Sequence, residues 1–374
     1  MAAPRAFSFL VPGDWSTPTG GFHYDRRLAQ ALGAAGWAVD VLRLDADWPV
    51  PDATAMAHAA AKVASLPTGT RVVADGLAFG ASGAMGATGA MGDIIAAHAE
   101  RLCWVALVHH PLHLETGLAP ALRRQLLASE TRALQFARRV VVTSPHTASD
   151  VAAMGVAPER ITIVEPGTDA WPHAPTDSAP SVPAAGPVRL LCVATVTPRK
   201  GHALLLQALA GLKAPPGLPG LPGPPWQLHC VGSLTRHPAT SAEVRALAHD
   251  SGLADRVVWH GEVDAAALQA QYAAADLLVL ASLHEGYGMV VAEALAAGLP
   301  VLASDAGALA QTLPPQAGWR VPAGDVPALQ AALQRLISDA ALRARLAAGA
   351  RAAGRRLPDW PAQAARFAIV LESL

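Results

Sequence analysis

Short apolar segments with high β propensity alternate with helical stretches rich in Ala and Leu along this chain. Strands that are apolar throughout, with helices between them, predict parallel sheets covered by helices on both faces. The fold class expected is therefore α/β, with doubly wound sheets. The segments predicted as strands are 6–11, 38–44, 71–75, 103–108, 140–144, 161–166, 188–195, 226–232, 256–261, 276–282 and 300–305.

One segment breaks this alternation near the middle of the chain. Residues 168–188 are rich in Pro, Ala and Ser and have no hydrophobic period, which favours a linker over a surface loop. The length of 374 residues also exceeds twice the ~150 residues typical of one domain. We predict two Rossmann-like domains, residues 1–170 and 188–356, joined by a linker at 171–187. Their ligand is expected in the cleft between them.

Composition excludes several classes of protein. Lys and Arg total 28 against 29 for Asp and Glu, a net charge of −1, so no basic excess exists to neutralise a nucleic-acid backbone. Hydrophobic residues make up 52% of the chain, far too many for a disordered protein. We therefore expect two buried cores and no nucleic-acid partner.

The cysteines and the apolar runs bear on location. Cys103, Cys192 and Cys230 are too few and too scattered for a disulfide framework or a zinc site, so free thiols in a reducing compartment are expected. Charged residues or Pro interrupt every apolar run before the ~18 residues needed to cross a bilayer. The run before Pro12 is also shorter than a signal-peptide core. The sequence predicts a cytoplasmic protein without a transmembrane segment, and peripheral contact with the inner face of the membrane stays open.

Two low-complexity inserts carry no predicted chemistry. Residues 80–92 have Gly at every third position but no G-x-G, which indicates a flexible loop or a tightly packed turn. Residues 214–225 are a Pro/Gly segment before a predicted strand, typical of a solvated loop.

The strongest functional signal is the segment 284–305, HEGYGMVVAEALAAGLPVLASD, which follows a predicted strand and opens a helix. Gly286 and Gly288 would let the backbone of the turn approach a ligand closely. Because a helix N-terminus favours anions, the segment predicts a phosphate site. The N–H donors expected there are those of Met289, Val290 and Val291.

Two glutamates flank this turn. Glu285 lies directly before it, and Glu293 falls about one and a half turns into the helix. At that depth Glu293 could reach a group some distance from the phosphates, such as a ribose diol. The alternative is an ordinary solvated helical glutamate, but its Val, Ala and Leu neighbours leave little polar face for it to share. The pattern therefore favours a functional Glu293.

The segment resembles the E-x7-E motif of the retaining, nucleotide-sugar-dependent glycosyltransferases of family 4, here Glu285, seven residues and Glu293. In that family the first glutamate contacts hydroxyls of the donor sugar and the second binds the ribose. The resemblance implies the GT-B fold, with two Rossmann-like domains facing each other across a cleft and a C-terminal helix at 357–374 returning to the first domain. The backbone that would hold the diphosphate is that of Gly286, Tyr287, Gly288, Met289 and Val290.

The segment 195–209, TVTPRKGHALLLQAL, is similar to the basic loop of the same family. Arg199 and Lys200 suit a diphosphate, Arg through bidentate hydrogen bonds and Lys as a point charge. A solvated Pro-Arg-Lys-Gly turn is the alternative. Many relatives carry Gly-Arg where this chain has Ala194 and Thr195, a departure that leaves Arg199 as the arginine partner.

Two N-terminal features also fit the family. The segment 16–32 resembles its Gly-Gly loop, in which N–H groups at Gly20 and Gly21 would face the phosphates and the acceptor, although a tight turn before a helix is equally compatible. His109 and His110 follow a predicted strand, where the family often has a histidine that bonds the donor sugar. The match favours His109 and leaves His110 open, and a structural histidine is the alternative reading.

The resemblance implies a retaining hexosyltransferase acting on a UDP, GDP or ADP sugar and on a sugar, lipid-linked or glycoconjugate acceptor, as in polysaccharide or glycolipid synthesis. Catalytic roles fall to Glu285, His109, Arg199 and Lys200. No paired Asp/His cluster suggests a metal, and the two cations and the helix N-terminus would replace one, so neither metal nor cofactor is expected. An epimerase of the same fold and an inactive nucleotide-sugar-binding scaffold are the alternatives. A nicotinamide dehydrogenase is disfavoured because no G-x-G-x-x-G follows a strand.

Overall fold

The computed structural model describes residues 5–45, 48–83, 90–169, 171, 186–212 and 225–374. Internal contacts divide the chain into two compact units, residues 1–167 with 358–374 and residues 168–357. All but a few residues of the predicted linker at 171–187 and of the 214–225 insert lie outside the described residues, as do residues 84–89 of the 80–92 insert.

The first unit contains a parallel sheet whose described strands are β1 (Ala6–Pro12), β2 (Ala38–Leu44), β3 (Arg71–Asp75), β4 (Cys103–Val108), β5 (Arg139–Val142) and β6 (Ile161–Ile163). They pair in the order β2-β1-β3-β4-β5-β6. The helices between them are α1 (Gly20–Ala34), α2 (Ala53–Ala64), α3 (Gly76–Phe79), α4 (Met91–Ala97), α5 (Pro120–Phe136) and α6 (Pro145–Ala153).

The strand order brings three segments of the first unit to one edge of its sheet. Strand β3 lies between β1 and β4, and all three are parallel, so their carboxyl ends share an edge. Asp75 is the last residue of β3, His109 directly follows β4, and α1 begins after β1. Polar residues from distant parts of the sequence therefore meet above a core that includes the buried Phe79 and Trp104.

The second unit repeats the architecture. Its described strands are β7 (Val188–Val193), β8 (Trp226–Val231), β9 (Val257–Gly261), β10 (Leu277–Leu280), β11 (Val301–Ser304) and β12 (Gly318–Val321). They form a parallel sheet in the order β12-β11-β10-β7-β8-β9. Its helices are α7 (His202–Ala210), α8 (Pro238–Asp250), α9 (Ala265–Ala274), α10 (Met289–Ala296), α11 (Leu309–Thr312), α12 (Val326–Ser338) and α13 (Ala340–Gly354).

Strands β7 and β10 are neighbours in this sheet, with Leu190 opposite Leu277 and Leu191 opposite Leu278. Because both are parallel, the loop after β7 and the loop after β10 leave the sheet side by side. This pairing places the basic loop next to the glycine turn, although about 85 positions separate them in the sequence.

Every segment predicted as a strand contains one, and the predicted α/β class with two doubly wound sheets is confirmed. Strand β12, a four-residue edge strand of Gly318–Val321, was not predicted from the sequence. Its two central residues, Trp319 and Arg320, are exposed, so the segment lacks the apolar run by which the other strands were found.

The last described helix, α14 (Trp360–Glu372), packs against α1 within the first unit. The Trp360 ring lies edge-on to Tyr24, with ring centroids 5.6 Å apart. Gly167 approaches the backbone of Trp360 so closely that a Cβ would overlap with it. None of the helices that the structure describes has both the length and the apolar character needed to cross a membrane.

Candidate active site

In the second unit, Glu285 forms a buried cluster with two cations from the neighbouring loop. Its Oε1 lies 2.5 Å from Nζ of Lys200, and its Oε2 lies 3.5 Å from Nη1 of Arg199. Ser282 donates a hydrogen bond to Oε1 at 2.7 Å, and Arg199 donates to the carbonyl of His284 at 2.8 Å. The structure thus brings together three of the four residues predicted to be catalytic.

Backbone contacts fix the two loops against each other. The N–H of Leu283 donates to the carbonyl of Arg199 at 2.7 Å. Gly201, directly after the cations, has a left-handed φ of 66°, and a Cβ there would overlap with the carbonyl of Ala281. Only glycine combines that conformation with that approach. The basic loop is therefore packed onto the end of β10, which disfavours the solvated-turn alternative.

Charge compensation sets the protonation state of Glu285. Burial alone would raise the pKa of this carboxyl, but the charges of Lys200 and then Arg199 outweigh burial and lower the pKa to about 2. Glu285 is therefore ionised at neutral pH. Two cations against one carboxylate leave an excess of positive charge beside the start of α10, which favours an anionic ligand.

The glycine turn opens α10 as the sequence predicts. Gly288 is the N-cap residue with a left-handed φ of 87°, and a Cβ there would overlap with Leu309. Met289 and Val290 are the first two helical residues, and their N–H groups precede the helix's own hydrogen bonds. The N–H of Val291, predicted as a third donor, already donates to the carbonyl of Gly288 at 2.8 Å. That part of the prediction is wrong.

The segment after β11 holds the glycine turn in place. Thr312 Oγ1 donates to the carbonyl of Tyr287 at 2.7 Å, and the N–H of Ala308 donates to the carbonyl of Glu285 at 2.9 Å. Gly307 approaches Glu285 so closely that no Cβ fits between them. The backbone on both sides of Gly286 is therefore fixed before any ligand binds.

Glu293 lies half-buried in α10 and has a specific partner. Its Oε2 accepts a hydrogen bond from the hydroxyl of Tyr272 at 2.7 Å. The Tyr272 ring stacks edge-on against Trp171, with centroids 5.3 Å apart. Burial raises the pKa of Glu293 against the opposing hydrogen bond from Tyr272. Sequence reasoning missed Tyr272, for which the available signal was a tyrosine in the last turn of the helix before β10.

In the first unit, His109 lies between two buried carboxylates. Its Nε2 lies 3.0 Å from Oδ1 of Asp25 in α1 and 3.4 Å from Oδ2 of Asp75 at the end of β3. The aspartate side chains are 0% and 1% exposed, whereas that of His109 is 19% exposed. Sequence reasoning found His109 but neither aspartate, because only the order β1-β3-β4 brings these three positions together.

The electrostatics of this cluster follow from burial and from mutual compensation. Burial disfavours the charge on His109, but the carboxylates of Asp25 and Asp75 outweigh it and raise the pKa of the imidazole to about 10. Burial also raises the pKa of Asp25 to about 7, against the opposing charge of His109.

Among the described residues, Asp25, Asp75 and His109 are the group whose ligating atoms could hold a metal ion, all within 4.8 Å of one another. The expectation that the chain has no Asp/His cluster is therefore wrong. The shorter of its contacts, Nε2 to Asp25, is also an ordinary hydrogen bond. The geometry thus suits either a cation or a shared proton.

The two predicted glycines differ in what surrounds them. Gly20 is the first residue of α1, whose N-cap is Thr19. A Cβ at Gly21 would lie 3.2 Å from Cδ2 of His109, so this glycine leaves room for the imidazole. Gly21 therefore contacts a predicted catalytic residue, whereas Gly20 starts the helix.

The two adjacent histidines, His109 and His110, have different surroundings. His110 Nε2 lies 3.6 Å from Oε2 of the more exposed Glu115. Thr143 Oγ1 donates to the carbonyl of His109 at 3.2 Å, which fixes the backbone at the end of β4. His109 is thus the residue whose ring and backbone are both held by buried groups.

Two family models match the chain, one in each unit. Residues 19–167 match the "Glycosyl transferase 4-like domain" model, and residues 175–353 match the "Glycosyl transferases group 1" model. The first range contains Asp25, Asp75 and His109, and the second contains Lys200, Glu285 and the glycine turn.

The curated relatives that the chain matches are also named as glycosyltransferases. The chain is 34% identical over 239 residues to a D-inositol 3-phosphate glycosyltransferase of Xylanimonas cellulosilytica, covering 60% of this chain and 54% of that protein. It is 28% identical over 285 residues to an MMP alpha-(1->4)-mannosyltransferase of Mycolicibacterium hassiacum, covering 72% and 64%. The chain spans about half the length of the curated relatives it matches.

Solved structures share the whole fold. A sucrose-phosphate synthase from Thermosynechococcus elongatus superposes with a TM-score of 0.76 at 23% identity, covering 98% of both chains. HepE of Anabaena, solved with UDP and glucose, gives a TM-score of 0.72 at 18% identity, covering 98% of this chain and 100% of HepE. At these identities the likeness establishes the GT-B fold alone. The chain thus combines two matches to glycosyl transferase models, a 4-like domain followed by a group 1 domain, on the GT-B fold.

Proposed function

We propose that this protein is a retaining glycosyltransferase that moves a hexosyl group from a nucleoside-diphosphate sugar to an acceptor hydroxyl. The observation that carries the proposal is the buried cluster of Lys200, Arg199 and Glu285 beside the first turn of α10. Its excess positive charge suits a diphosphate, and its ionised carboxylate suits the hydroxyls of a sugar.

The donor would be bound along α10. The N–H groups of Met289 and Val290 bind phosphate oxygens at the helix N-terminus, where the helix dipole adds to the charge of the two cations. Glu293, held by the hydroxyl of Tyr272, accepts a hydrogen bond from the ribose one and a half turns further along. Gly286 and Tyr287 contribute the fixed backbone between the two glutamates.

Donor binding would redistribute the charges of the cluster. Without a ligand, Glu285 compensates Lys200 and Arg199. A bound diphosphate takes over this compensation, so that the Glu285 oxygens can accept hydrogen bonds from the donor sugar. The exchange keeps each buried charge paired, which matters because an unpaired buried charge is costly.

Transfer itself needs no nucleophile from the protein in this proposal. The bond between the anomeric carbon and the leaving phosphate oxygen breaks, and a bond to the acceptor oxygen forms on the same face, so the anomeric configuration is kept. The leaving phosphate oxygen takes the proton of the acceptor hydroxyl. Lys200 and Arg199 stabilise the charge that develops on the diphosphate, with no metal or cofactor required. His109, in the first unit, is proposed to hydrogen-bond the donor.

The acceptor is proposed as a sugar, a lipid-linked sugar or another glycoconjugate, in polysaccharide or glycolipid synthesis in the cytoplasm or at the inner face of the membrane. The names of the relatives, which include D-inositol 3-phosphate glycosyltransferase and phosphatidyl-myo-inositol mannosyltransferase, make phosphorylated and lipid-linked inositols the first acceptors to assay.

A two-stage experiment tests the proposal. Thermal unfolding is first followed with a panel of UDP, GDP and ADP sugars, because a ligand at 100 times its Kd adds ~2.7 kcal/mol of stability. The donor that raises the melting temperature most is then incubated with the acceptor panel, and products are identified by mass spectrometry. We expect one donor class to stabilise the protein and a glycoside to form. A panel without any stabilising nucleotide sugar contradicts the proposal.

The same experiment separates the two alternatives. A nucleotide-sugar epimerase would convert the donor into its epimer without any acceptor. An inactive scaffold would be stabilised by the donor but would release no nucleoside diphosphate with any acceptor. The paired Glu285, Lys200 and Arg199 favour transfer, since binding alone does not need a charge-compensated carboxylate at the sugar.

A further inference from the structure

The cluster of Asp25, Asp75 and His109 contains two buried carboxylates and one imidazole, so its negative charge needs compensation. Two carboxylates are withdrawn from water beside one imidazole. If both were ionised and the imidazole neutral, two negative charges would be buried without compensation, which is strongly unfavourable. Adding one proton to the imidazole and one to a carboxylate makes the cluster neutral overall.

Hydrogen bonds indicate which carboxylate holds its proton. Oδ1 of Asp75 accepts from the N–H of Leu77 at 2.8 Å and caps α3, a role suited to an ionised carboxylate. Oδ2 of Asp25 is buried and has no hydrogen-bond partner among the described residues. No donor stabilises a negative charge on that oxygen, so Asp25 is the carboxyl that holds a proton. The raised pKa of Asp25 agrees with this assignment.

We propose that Asp25 and Asp75 are positioning residues that hold His109 as an imidazolium, whose Nε2–H is bound to both carboxylates and whose Nδ1–H is left to donate to the ligand. The proposal rests on the proposed function, in which His109 contacts the ligand. The hydrogen bond of the ring to the described residues runs through Nε2 and leaves Nδ1 unused, and the His109 side chain is the most exposed of the three at 19%.

The charge determines what His109 can recognise. A neutral imidazole with its proton on Nε2 would accept a hydrogen bond at Nδ1, for instance from a sugar hydroxyl. An imidazolium donates there instead, and it favours an oxygen that carries or develops negative charge. The ligand group expected at His109 is therefore a phosphate oxygen and not a hydroxyl donor.

The surroundings of the ring support a fixed orientation. Gly21 packs against Cδ2, and the ring of Tyr24 lies edge-on with its centroid 5.1 Å away. Tyr24 donates its hydroxyl to the carbonyl of Val164 at 3.0 Å, and burial raises its pKa, so it stays neutral.

The remaining titratable group near this cluster is a cation. The Arg26 side chain donates to backbone carbonyls of the preceding loop, and its charge interacts with that of Asp25. In the part of the chain that the structure describes, Asp25, Asp75, Tyr24 and Arg26 are thus the titratable groups that bear on the charge of His109.

The direct test is the protonation state of His109 in the whole, ligand-free protein. Nitrogen NMR of protein labelled with ¹⁵N-histidine, assigned by the signal lost in His109→Gln, is recorded from acid pH to about pH 10. We expect the imidazolium signature to persist at about pH 8, well above the ordinary midpoint of ~6.5. A midpoint near the ordinary value, or a neutral ring at pH 7, would overturn the proposal without any variant of the cluster.

Variants then assign the effect to the aspartates. Asp75→Asn should lower the pH at which His109 is half protonated by about 1–3 units, since it removes the ionised carboxylate beside the ring. Asp25→Asn replaces a carboxyl that already holds its proton, so it should lower that pH less. The control is Asp45→Asn, which removes the carboxylate of an exposed pair with His58 in the same unit and should leave the His109 signal unchanged. Unchanged titration in both cluster variants would refute the positioning role.

A bound cation is the competing explanation for the same geometry. Elemental analysis of the purified protein and titration with Zn²⁺ decide between them. The proposal expects no stoichiometric metal and no shift of the His109 signals at equimolar Zn²⁺. One equivalent of zinc that is lost in His109→Gln would show that a metal, not a proton, holds the cluster together.

Kinetics connect the cluster to the ligand. Wild-type kcat/KM for the cognate donor should be flat from about pH 7 to pH 9, whereas that of Asp75→Asn should fall at least tenfold across this range as His109 loses its proton. Parallel profiles would contradict a role in substrate recognition. Absence of transfer with every donor would instead count against the proposed function, while the NMR result would still decide the state of His109.

Discussion

Nζ of Lys200 lies 2.5 Å from Oε1 of Glu285, and this pair joins two loops that are 85 residues apart in the sequence. The Glu285 side chain is 8% exposed, so the carboxylate depends on Lys200 and on the more distant Arg199 for its charge. Removing one partner of a buried ion pair lowers stability by more than the net contribution of the pair, because the other charge remains buried and unpaired. Stability and catalysis are therefore coupled at this position.

We predict that Arg199→Ala and Lys200→Ala each lower kcat by about 10²–10³, more than they weaken donor binding. The charge on the leaving diphosphate develops in the transition state, and losing one such contact typically costs about 2.7–4 kcal/mol. Steady-state kinetics and calorimetric titration of the donor, measured on the same preparations, separate the two effects.

The matched control for these variants is Arg236→Ala, whose guanidinium forms a more exposed pair with Glu262 in the same unit, 3.9 Å apart. Surface pairs of this kind contribute about 0–1 kcal/mol, so its turnover should stay near that of the wild type. Full activity of the Arg199→Ala/Lys200→Ala double variant would show that the diphosphate is bound elsewhere.

A second prediction concerns the ribose contact. Glu293→Ala should weaken donor binding by about tenfold to a hundredfold, since a hydrogen bond to a charged group contributes about 1.5–3 kcal/mol. Tyr272→Phe keeps the carboxylate but removes the hydroxyl that orients it, so it should weaken binding less. Calorimetric titration of the wild type and both variants with the nucleoside diphosphate measures these losses, and titration with inorganic pyrophosphate, which has no ribose, serves as the control. Equal affinities of wild type and Glu293→Ala would remove Glu293 from the donor site.

Much of the fold could be predicted because its signals are local. Each buried strand is a short apolar run between helical stretches, and eleven of the described strands follow from that pattern alone. Edge strand β12 did not, because its exposed Trp319 and Arg320 interrupt the apolar run. The strand order, which decides which loops are neighbours, depends on contacts between residues far apart in the chain.

The candidate site divides in the same way. Glu285, Glu293 and the glycine turn lie within one strand-turn-helix segment, so their relationship is visible in the sequence. Tyr272 and Asp25 lie on helices, and their partners are reached only across the folded unit. No spacing in the sequence indicates these two contacts, because strand pairing in the folded unit brings the partner residues together.

A third prediction concerns Glu130, a carboxyl of the first unit that is 1% exposed. Burial raises its pKa from 4.5 to about 8, against a hydrogen bond that its Oε2 accepts from the N–H of Leu112 at 2.9 Å. The folded state thus holds the proton more tightly than the unfolded state. The stability that this tightly held proton contributes is complete below pH 4.5 and is lost as the pH rises through about 8.

Glu130→Gln should therefore gain stability over the wild type between those pH values and keep a constant advantage above about pH 8. The advantage above about pH 8 should be on the order of 5 kcal/mol, since one pKa unit corresponds to about 1.4 kcal/mol. Melting temperatures at about pH 5, 7 and 9 measure it, with the exposed Glu159→Gln as the control. A variant that melts below the wild type by the same amount at every pH would show that Glu130 is ionised in the fold.

The last prediction joins metal dependence with stereochemistry. Lys200, Arg199 and the N-terminus of α10 supply positive charge where the leaving diphosphate is proposed to lie, so transfer should continue in excess EDTA. Front-face transfer predicts that proton NMR of the first-formed glycoside shows the anomer of the donor. Activity abolished by chelation and restored by Mg²⁺ or Mn²⁺ would falsify the charge argument. A product of inverted configuration would leave the cation cluster intact as a donor site but would exclude the front-face mechanism.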